Sequence, residues 1–240
     1  MKNRNKIIFI CIITLAIFIS ILILCKKFLK VEFYNFWQTK NTSEYYKIMF
    51  QNIKNNSSLL DIGVGPGRNL VYNKDAILAK NISIHGIDID PEYNKYCKKT
   101  ISENKLDSIV KIELKDLFHI QTKAKYDYAI FGQSFPVIPR KIMTNMLQHA
   151  LKLIKDNGRI IFIHQLDDQN KMDHLFYKIK PILKHIPFVW VDSGIATSKK
   201  DFEKWLEYNG LNYEKKIIHS DQVFDLKLNI YMYICQRKLS

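Results

Sequence analysis

Three glycines at alternate positions follow a short apolar run and an aspartate near residue 60. The segment reads Leu-Leu-Asp-Ile-Gly-Val-Gly-Pro-Gly over residues 59–67. The pattern predicts a buried strand that breaks into a tight turn and opens a helix. Glycine tolerates positive φ and has no Cβ, so such a turn lets the backbone approach a nucleotide-like ligand closely. The segment therefore predicts a cofactor-binding enzyme.

The spacing of these glycines argues against two other nucleotide-binding loops. A dinucleotide-binding G-x-G-x-x-G loop that starts at Gly63 requires glycine where Arg68 stands, and one that starts at Gly65 requires glycine where Leu70 stands. A phosphate-binding loop of the Walker type requires Gly-Lys-Ser/Thr, which does not follow. A glycine turn in an α/β domain that binds nothing stays open as the structural alternative.

Alternating strand and helix patterns surround this loop. Apolar runs predict strands at 57–61, 81–88, 109–114, 126–131, 159–164, 212–219 and 228–236, and helical spacing or caps predict helices at 41–53, 68–80, 90–104, 140–155, 171–184 and 198–209. Repeated βα units give a parallel sheet with helices on both faces. The last two strands are joined by about eight residues, which is too short for a parallel crossover, so they should pair antiparallel.

Local signals define several helix ends. Asp90 followed by Pro91 predicts a helix start, with the aspartate as N-cap and the proline in the first turn. Ser198 followed three residues later by an aspartate predicts a capping box, and Gly210 closes the same helix. Asp-Asn-Gly at 156–158 predicts the end of the helix that begins near residue 140.

With these features the chain resembles the class I S-adenosylmethionine-dependent methyltransferases, over residues from about 41 to 237. The resemblance implies a Rossmann-like, doubly wound, mostly parallel seven-stranded sheet with an antiparallel last strand. It also implies that the glycine loop passes under S-adenosylmethionine. The cofactor-binding residues that it implies are Asp61, Gly63, Gly65, Gly67, Asp88, Ile89, Asp116, Leu117 and Gly132.

Within the resemblance, the three acidic positions have different implied partners. Asp61 helps to hold the amino-acid end of the cofactor, Asp88 accepts hydrogen bonds from the ribose hydroxyls, and Asp116 contacts the adenine amino group. A sulfonium ligand with an ammonium group favours nearby carboxylates, and its own carboxylate favours backbone N–H donors. For Asp116, a solvated loop aspartate is the alternative.

The segment after the fourth predicted strand bears on the methyl acceptor. It reads Phe-Gly-Gln-Ser-Phe-Pro-Val-Ile-Pro over 131–139 and lacks the Asp/Asn-Pro-Pro-aromatic motif of enzymes that methylate DNA-base amino groups or glutamine. Gln133 and His164 are catalytic candidates at the carboxyl edge of the sheet, where His164 could act as a general base. A histidine that only hydrogen-bonds in the loop is the alternative, because in-line methyl transfer can rely on positioning alone.

An uncharged run of eighteen residues at 7–24 precedes the predicted domain. Two lysines and one arginine lie before the run, and three lysines follow it. As a helix it would be about 27 Å long, close to the hydrocarbon thickness of a bilayer. We predict a retained single-pass anchor over 1–30, a juxtamembrane segment and lid helix over 31–56, and a methyltransferase domain over 57–240. A cleaved signal peptide is the alternative, although Leu-Cys-Lys-Lys-Phe after the run is a poor cleavage site.

Charge and cysteine content limit the possible partners. The net charge is +14, and residues 31–240 carry 31 basic and 23 acidic residues, as a solvated surface or as a binding patch. The four cysteines have no CxxC spacing, so we expect neither a disulfide framework nor a metal site. The acceptor is expected to be a lipid, a small molecule or a membrane-associated protein, with the catalytic domain in the cytosol. A methyltransferase-like scaffold and a nucleic-acid methyltransferase are the alternative functions.

Overall fold

The structure is a computed structural model, and it describes residues 42–121, 123–132, 134, 138, 140–167, 198–223 and 226–238. The predicted anchor at 7–24, the juxtamembrane segment, Gln133 and the predicted helix at 171–184 lie outside the described residues. Among the described residues, no helix has the length and apolar character needed to cross a bilayer.

Strands and helices alternate through most of the described chain. The strands are β1 (Ser58–Ile62), β2 (Ser83–Asp88), β3 (Val110–Leu114), β4 (Tyr126–Gly132), β5 (Ile154–Asp167), β6 (Leu211–Val223) and β7 (Leu226–Arg237). The helices are α1 (42–52), α2 (Arg68–Tyr72), α3 (Lys74–Ala79), α4 (Pro91–Glu103), α5 (Arg140–Leu153) and α6 (Lys199–Tyr208), with a 3₁₀ turn at Leu117–His119.

The strands form one sheet in the order β3-β2-β1-β4-β5-β7-β6. Neighbouring strands from β3 to β5 are parallel, and β7 is antiparallel to both β5 and β6. This arrangement confirms the predicted mostly parallel sheet with an antiparallel last strand. The strand order reverses between β1 and β4, and open α/β sheets bind ligands at the carboxyl ends of the strands at such a point.

Apolar side chains cover both faces of the sheet, as expected for parallel strands that are buried on both sides. One cluster joins α1, α2 and α4 to the sheet through residues such as Met49, Leu70 and Ile101. The other joins α5 and α6 to the opposite face through residues such as Leu147 and Phe202.

The helix predicted over 68–80 is interrupted at Asn73, where α2 ends and α3 begins. The Asn73 backbone leaves the helical region, with φ of −107° and ψ of 17°. Its side-chain amide donates to the carbonyl oxygens of Asn69, at 2.8 Å, and Ser43, at 3.1 Å. The prediction of a continuous helix was wrong because the second bond is a contact with α1 that local sequence does not encode.

Two strand boundaries also differ from the prediction. Helix α5 ends at Leu153, and residues 156–158 lie within β5, where the register with β4 shifts between Tyr126 and Tyr128. Strands β6 and β7 extend until Val223 pairs with Leu226, and both of these residues lie within the predicted eight-residue connection. In both places strand pairing continues through residues for which the sequence predicts a helix end or a connection.

The two predicted N-caps are confirmed. The Asp90 side chain accepts hydrogen bonds from the backbone N–H groups of Glu92, at 3.0 Å, and Tyr93, at 3.3 Å. The Ser198 hydroxyl accepts from the N–H of Asp201 at 3.1 Å. These signals were readable because each involves residues within one turn of the chain.

Candidate functional site

The glycine loop connects β1 to α2 in a left-handed backbone conformation. Gly63, Gly65 and Gly67 have φ of 77°, 60° and 75°, values that residues with a Cβ rarely adopt. The N–H groups of Gly63 and Val64 donate to the carbonyl oxygen of Ile87 at 2.9 and 3.1 Å, which fixes the loop to the end of β2. The alternating glycines are therefore required by the loop conformation.

Two of these glycines also allow close packing of other elements. A Cβ on Gly67 would lie 2.5 Å from the sulfur of Cys97 on α4. A Cβ on Gly63 would lie 2.6 Å from the Cβ of Ser134. The Ser134 hydroxyl donates to the carbonyl oxygen of Ile62 at 2.6 Å, which holds Ser134 against the loop. The loop is thus held from both sides.

Asp88 is buried at the end of β2 and contacts the glycine loop directly. One carboxylate oxygen accepts a hydrogen bond from the N–H of Gly65 at 2.9 Å, and the other accepts from the N–H of Asp90 at 2.9 Å. A carboxylate oxygen can accept more than one hydrogen bond, so Asp88 is chemically suited to ligand hydroxyls. The structure brings Asp88 and the loop together, as the resemblance implies.

Asp61, the last acidic residue before the loop, is fully buried. The Tyr46 hydroxyl of α1 lies 3.2 Å from each of its carboxylate oxygens. Burial raises the pKa of Asp61 to about 7, the Tyr46 hydrogen bond opposes this shift, and the Asp88 charge adds to it. A carboxyl group with this pKa changes charge near neutral pH, which is common at functional sites.

Gly132, at the end of β4, contacts the same tyrosine. A Cβ at position 132 would overlap the Tyr46 hydroxyl and lie 2.6 Å from the adjacent ring carbon. Within the described structure, the glycine at this position is thus explained by Tyr46. The sequence pattern indicated Gly132 but did not indicate the tyrosine that requires it.

Exposed apolar side chains lie beside Asp88 at the edge of the sheet. Ile89, the residue after β2, is 74% exposed, and Leu114, which pairs in register with Asp88, is 52% exposed. Asp116 caps the following 3₁₀ turn by accepting from the N–H of Phe118 at 3.0 Å, whereas the Leu117 side chain is buried in the core. The predicted site residues did not include Leu114, which lies beside Asp88 in the register of β2 and β3.

The structure places His164 in the interior of β5, where its side chain is fully buried. Its ring packs edge-on against that of Phe202, with the ring centroids 5.2 Å apart. Burial lowers the pKa of His164 to about 3, so the imidazole is neutral at physiological pH. This position favours a packing role over that of a general base. The other catalytic candidate, Gln133, lies outside the described residues.

A separate cleft of about 440 Å³ lies away from the glycine loop, beside β2 and β3. His85 contacts Tyr126 at 2.5 Å and Glu113 at 3.2 Å there, and Lys115 lies 3.7 Å from Glu113. These polar groups pair with one another. The cleft is therefore a less suitable cofactor site than the loop, despite its size.

Comparison with known proteins identifies the family. A family model described as a methyltransferase domain matches residues 53–210. The chain belongs to this methyltransferase family. The match begins just after α1 and includes the glycine loop and Asp88. No curated protein matches the sequence.

Solved structures share the fold at low sequence identity. An O-methyltransferase family protein from Burkholderia thailandensis is 14% identical, with a TM-score of 0.59, over 87% of this chain and 59% of that one. The chain thus spans less than two thirds of that protein. Magnesium protoporphyrin IX methyltransferase from Synechocystis, with bound S-adenosylhomocysteine, is 16% identical, with a TM-score of 0.57, over 84% and 83% of the two chains. A methyltransferase from Geobacter sulfurreducens, in complex with S-adenosyl-L-homocysteine, is 10% identical, with a TM-score of 0.59, over 82% and 90%.

Proposed function

We propose that this protein is an S-adenosylmethionine-dependent methyltransferase held at a membrane by residues 7–24. The observation that carries the proposal is the hydrogen bond between the Gly65 N–H and the Asp88 carboxylate, within a loop of three left-handed glycines. This bond joins the glycine loop, which a ligand can approach closely, to a carboxylate. Both lie where the strand order reverses, which is the expected ligand position in this class of sheet.

The residues present fit the chemical parts of the cofactor. Asp61 is a buried carboxylate suited to an ammonium group, since buried charges require a partner of opposite sign. Asp88 offers a carboxylate to ribose hydroxyls, and the exposed Ile89 and Leu114 offer apolar surface to an adenine ring. Structural relatives with bound S-adenosylhomocysteine support the same assignment.

When bound, the cofactor would supply a sulfonium methyl group for in-line displacement by an acceptor nucleophile. This chain's residues would bind and orient the donor, with Asp61 and Asp88 at its two polar ends. Positioning of two reactants can contribute about 7–11 kcal/mol to lowering a barrier. With His164 buried in the core, we propose that positioning carries the reaction.

The acceptor that we propose is a lipid, a small molecule or a membrane-associated protein, reached from a cytosolic catalytic domain. The uncharged run at 7–24, with basic flanks, supports membrane anchoring. Anchoring raises the local concentration of acceptors held in the same membrane. The missing Pro-Pro motif after Phe131 supports an acceptor other than a nucleic-acid base.

The test is transfer of tritiated methyl groups from S-adenosylmethionine to a membrane extract by the purified full-length protein in detergent micelles. Separating lipid, protein, small-molecule and RNA fractions assigns the label to an acceptor class. We expect label in one of the first three fractions and its loss with Asp88→Ala. Label confined to RNA would favour the nucleic-acid alternative. Cofactor binding without transfer to any fraction would favour the scaffold.

A further inference from the structure

Helix α1 is fixed at both of its ends, to α2 near its start and to Lys80, the residue after α3, near its end. Near its start, the Thr42 hydroxyl donates to the side-chain oxygen of Asn69 at 2.8 Å. Near its end, the Lys80 ammonium donates to the carbonyl oxygens of Phe50 and Ile53, each at 2.7 Å. These bonds hold α1 in place, and the Tyr46 side chain of α1 contacts Asp61 and Gly132.

The Tyr46 hydroxyl lies between Gly132 and Asp61 and has little freedom to move. A Cβ on Gly132 would occupy its place, and the ring packs against Phe50 with centroids 6.2 Å apart. The hydroxyl oxygen lies 3.2 Å from each of the two Asp61 carboxylate oxygens, within donating distance of both. A hydroxyl held in this way donates to the ionised carboxylate and stabilises its charge.

Asp61 has few donors for a fully buried carboxylate. Among the residues that the structure describes, Tyr46 is the one with a hydrogen-bond donor within reach of the Asp61 oxygens. Among the described residues, the other titratable groups that face it are Asp88 on β2 and Cys97 on α4. Asp88 repels the Asp61 charge, and burial raises the pKa of the Cys97 thiol and keeps it neutral. Within the part of the chain that the structure describes, no side-chain cation pairs with Asp61, and a ligand cation would be a suitable partner.

We propose that Tyr46 is a positioning residue of the cofactor site, whose hydroxyl favours the charged form of the Asp61 carboxylate and orients it to receive the ammonium group of the cofactor. This inference rests on the proposed function. It assigns α1 to the cofactor site, whereas the sequence predicts a lid for this helix.

The test compares S-adenosylhomocysteine binding to the full-length wild-type protein and to Tyr46→Phe, by calorimetry at pH 6 and pH 8.5. Below the pKa of Asp61 the carboxyl group must lose a proton to bind the cation, so loss of the hydroxyl weakens binding there. We expect the dissociation constant of Tyr46→Phe to exceed that of the wild type about tenfold at pH 6, which corresponds to a rise of about one unit in the pKa of Asp61. At pH 8.5 the difference should be under about twofold.

Two controls separate this effect from a change in packing. Tyr128→Phe removes the hydroxyl of another buried tyrosine, which accepts a 3.4 Å bond from the Lys54 N–H, and should leave both constants unchanged. In an Asp61→Asn background, Tyr46→Phe should give the same ratio at both pH values, because the titrating group is gone.

The outcomes distinguish the two proposals. Wild-type binding with a Tyr46→Phe ratio that is equal at the two pH values overturns the positioning role and leaves the cofactor assignment intact. A folded wild-type protein that binds no S-adenosylhomocysteine at either pH overturns the proposed function and this inference together.

Discussion

Gly67 and Gly210 share a left-handed backbone, with φ of 75° and 73°, but differ in their surroundings. A Cβ on Gly67 would meet the Cys97 sulfur at 2.5 Å, whereas a Cβ on Gly210 meets nothing within 4 Å in the described structure. We predict that Gly210→Ala destabilises the protein by about 1 kcal/mol, the conformational cost alone. Gly67→Ala should cost about 1–3 kcal/mol more, because the new methyl group overpacks the contact.

Urea unfolding of the two glycine variants measures this difference. Cys97→Ala provides the control, since removing the sulfur leaves a Cβ contact of 3.6 Å for the new methyl group. In that background, Gly67→Ala should cost about the same as Gly210→Ala. Equal costs in the wild-type background would contradict the packing argument.

Asp61 also makes stability depend on pH. Its pKa is raised from 3.8 to about 7, so its contribution to stability is fully present below pH 3.8 and is lost as pH rises through 7. We therefore predict that the free energy of unfolding of the wild type, relative to Asp61→Asn, falls between pH 5 and pH 8. Urea titrations of both proteins at each pH test this, and a constant difference would contradict the raised pKa.

At the residue scale, the sequence predicts what depends on neighbours in the chain. The positive φ of the loop glycines was predictable because the loop motif is local. The contact of Tyr46 with Asp61 joins residues 15 positions apart on different elements. No spacing rule connects a helix residue to the end of the following strand, so this contact required the structure.

Among the elements, α1 depends on a lysine outside it. The Lys80 ammonium donates to three carbonyl oxygens at the end of α1, those of Phe50, Gln51 and Ile53. A cation at this position also complements the negative end of the helix dipole. We predict that Lys80→Met increases amide hydrogen exchange in residues 42–53 by about tenfold, the loss expected for bonds to a charged donor.

Hydrogen exchange measured by mass spectrometry tests this, with Lys98→Met, an exposed lysine on α4, as the matched control. The increase should be confined to peptides from α1 and its contacts. Exchange in α1 that is equal in the two variants would show that Lys80 does not hold the end of this helix.

Element boundaries were predictable where a cap is local and were wrong where tertiary contacts decide. Asp90 and Ser198 cap their helices as predicted. The interruption at Asn73 depends on α1, and the early start of β5 at Ile154 depends on pairing with Tyr126 of β4. In the last two cases the competing interaction comes from a distant part of the chain and overrides the local pattern.

At the scale of the whole molecule, the order of the seven strands brings the ends of β1, β2 and β4 together. Asp61, Asp88 and Gly132 therefore lie around one loop although 71 positions separate the first from the last. The alternation of strands and helices in the sequence predicts this arrangement, because right-handed βα units leave few alternatives. The site follows from the topology, and its detailed contacts follow from packing.

The predicted anchor adds a property of the whole chain. We expect the full-length protein to stay with membranes after an alkaline carbonate wash. Placing arginine at both Leu15 and Phe18, within the uncharged run, should release it, since each charge at the centre of a membrane helix costs about 2.5–3.5 kcal/mol. Leu15→Met is the control. Membrane association that survives both arginines would contradict insertion of residues 7–24.

Binding of S-adenosylhomocysteine to the purified full-length protein, measured by calorimetry at neutral pH, tests whether the glycine loop and Asp88 form the cofactor site. We predict micromolar affinity in the wild type. We predict at least about tenfold weaker binding in Asp88→Ala, which loses a buried, charge-assisted acceptor, and unchanged binding in Asp75→Ala, where the aspartate is exposed. A folded wild-type protein that binds no S-adenosylhomocysteine, or an Asp88→Ala variant that binds it equally well, would contradict the cofactor site described above.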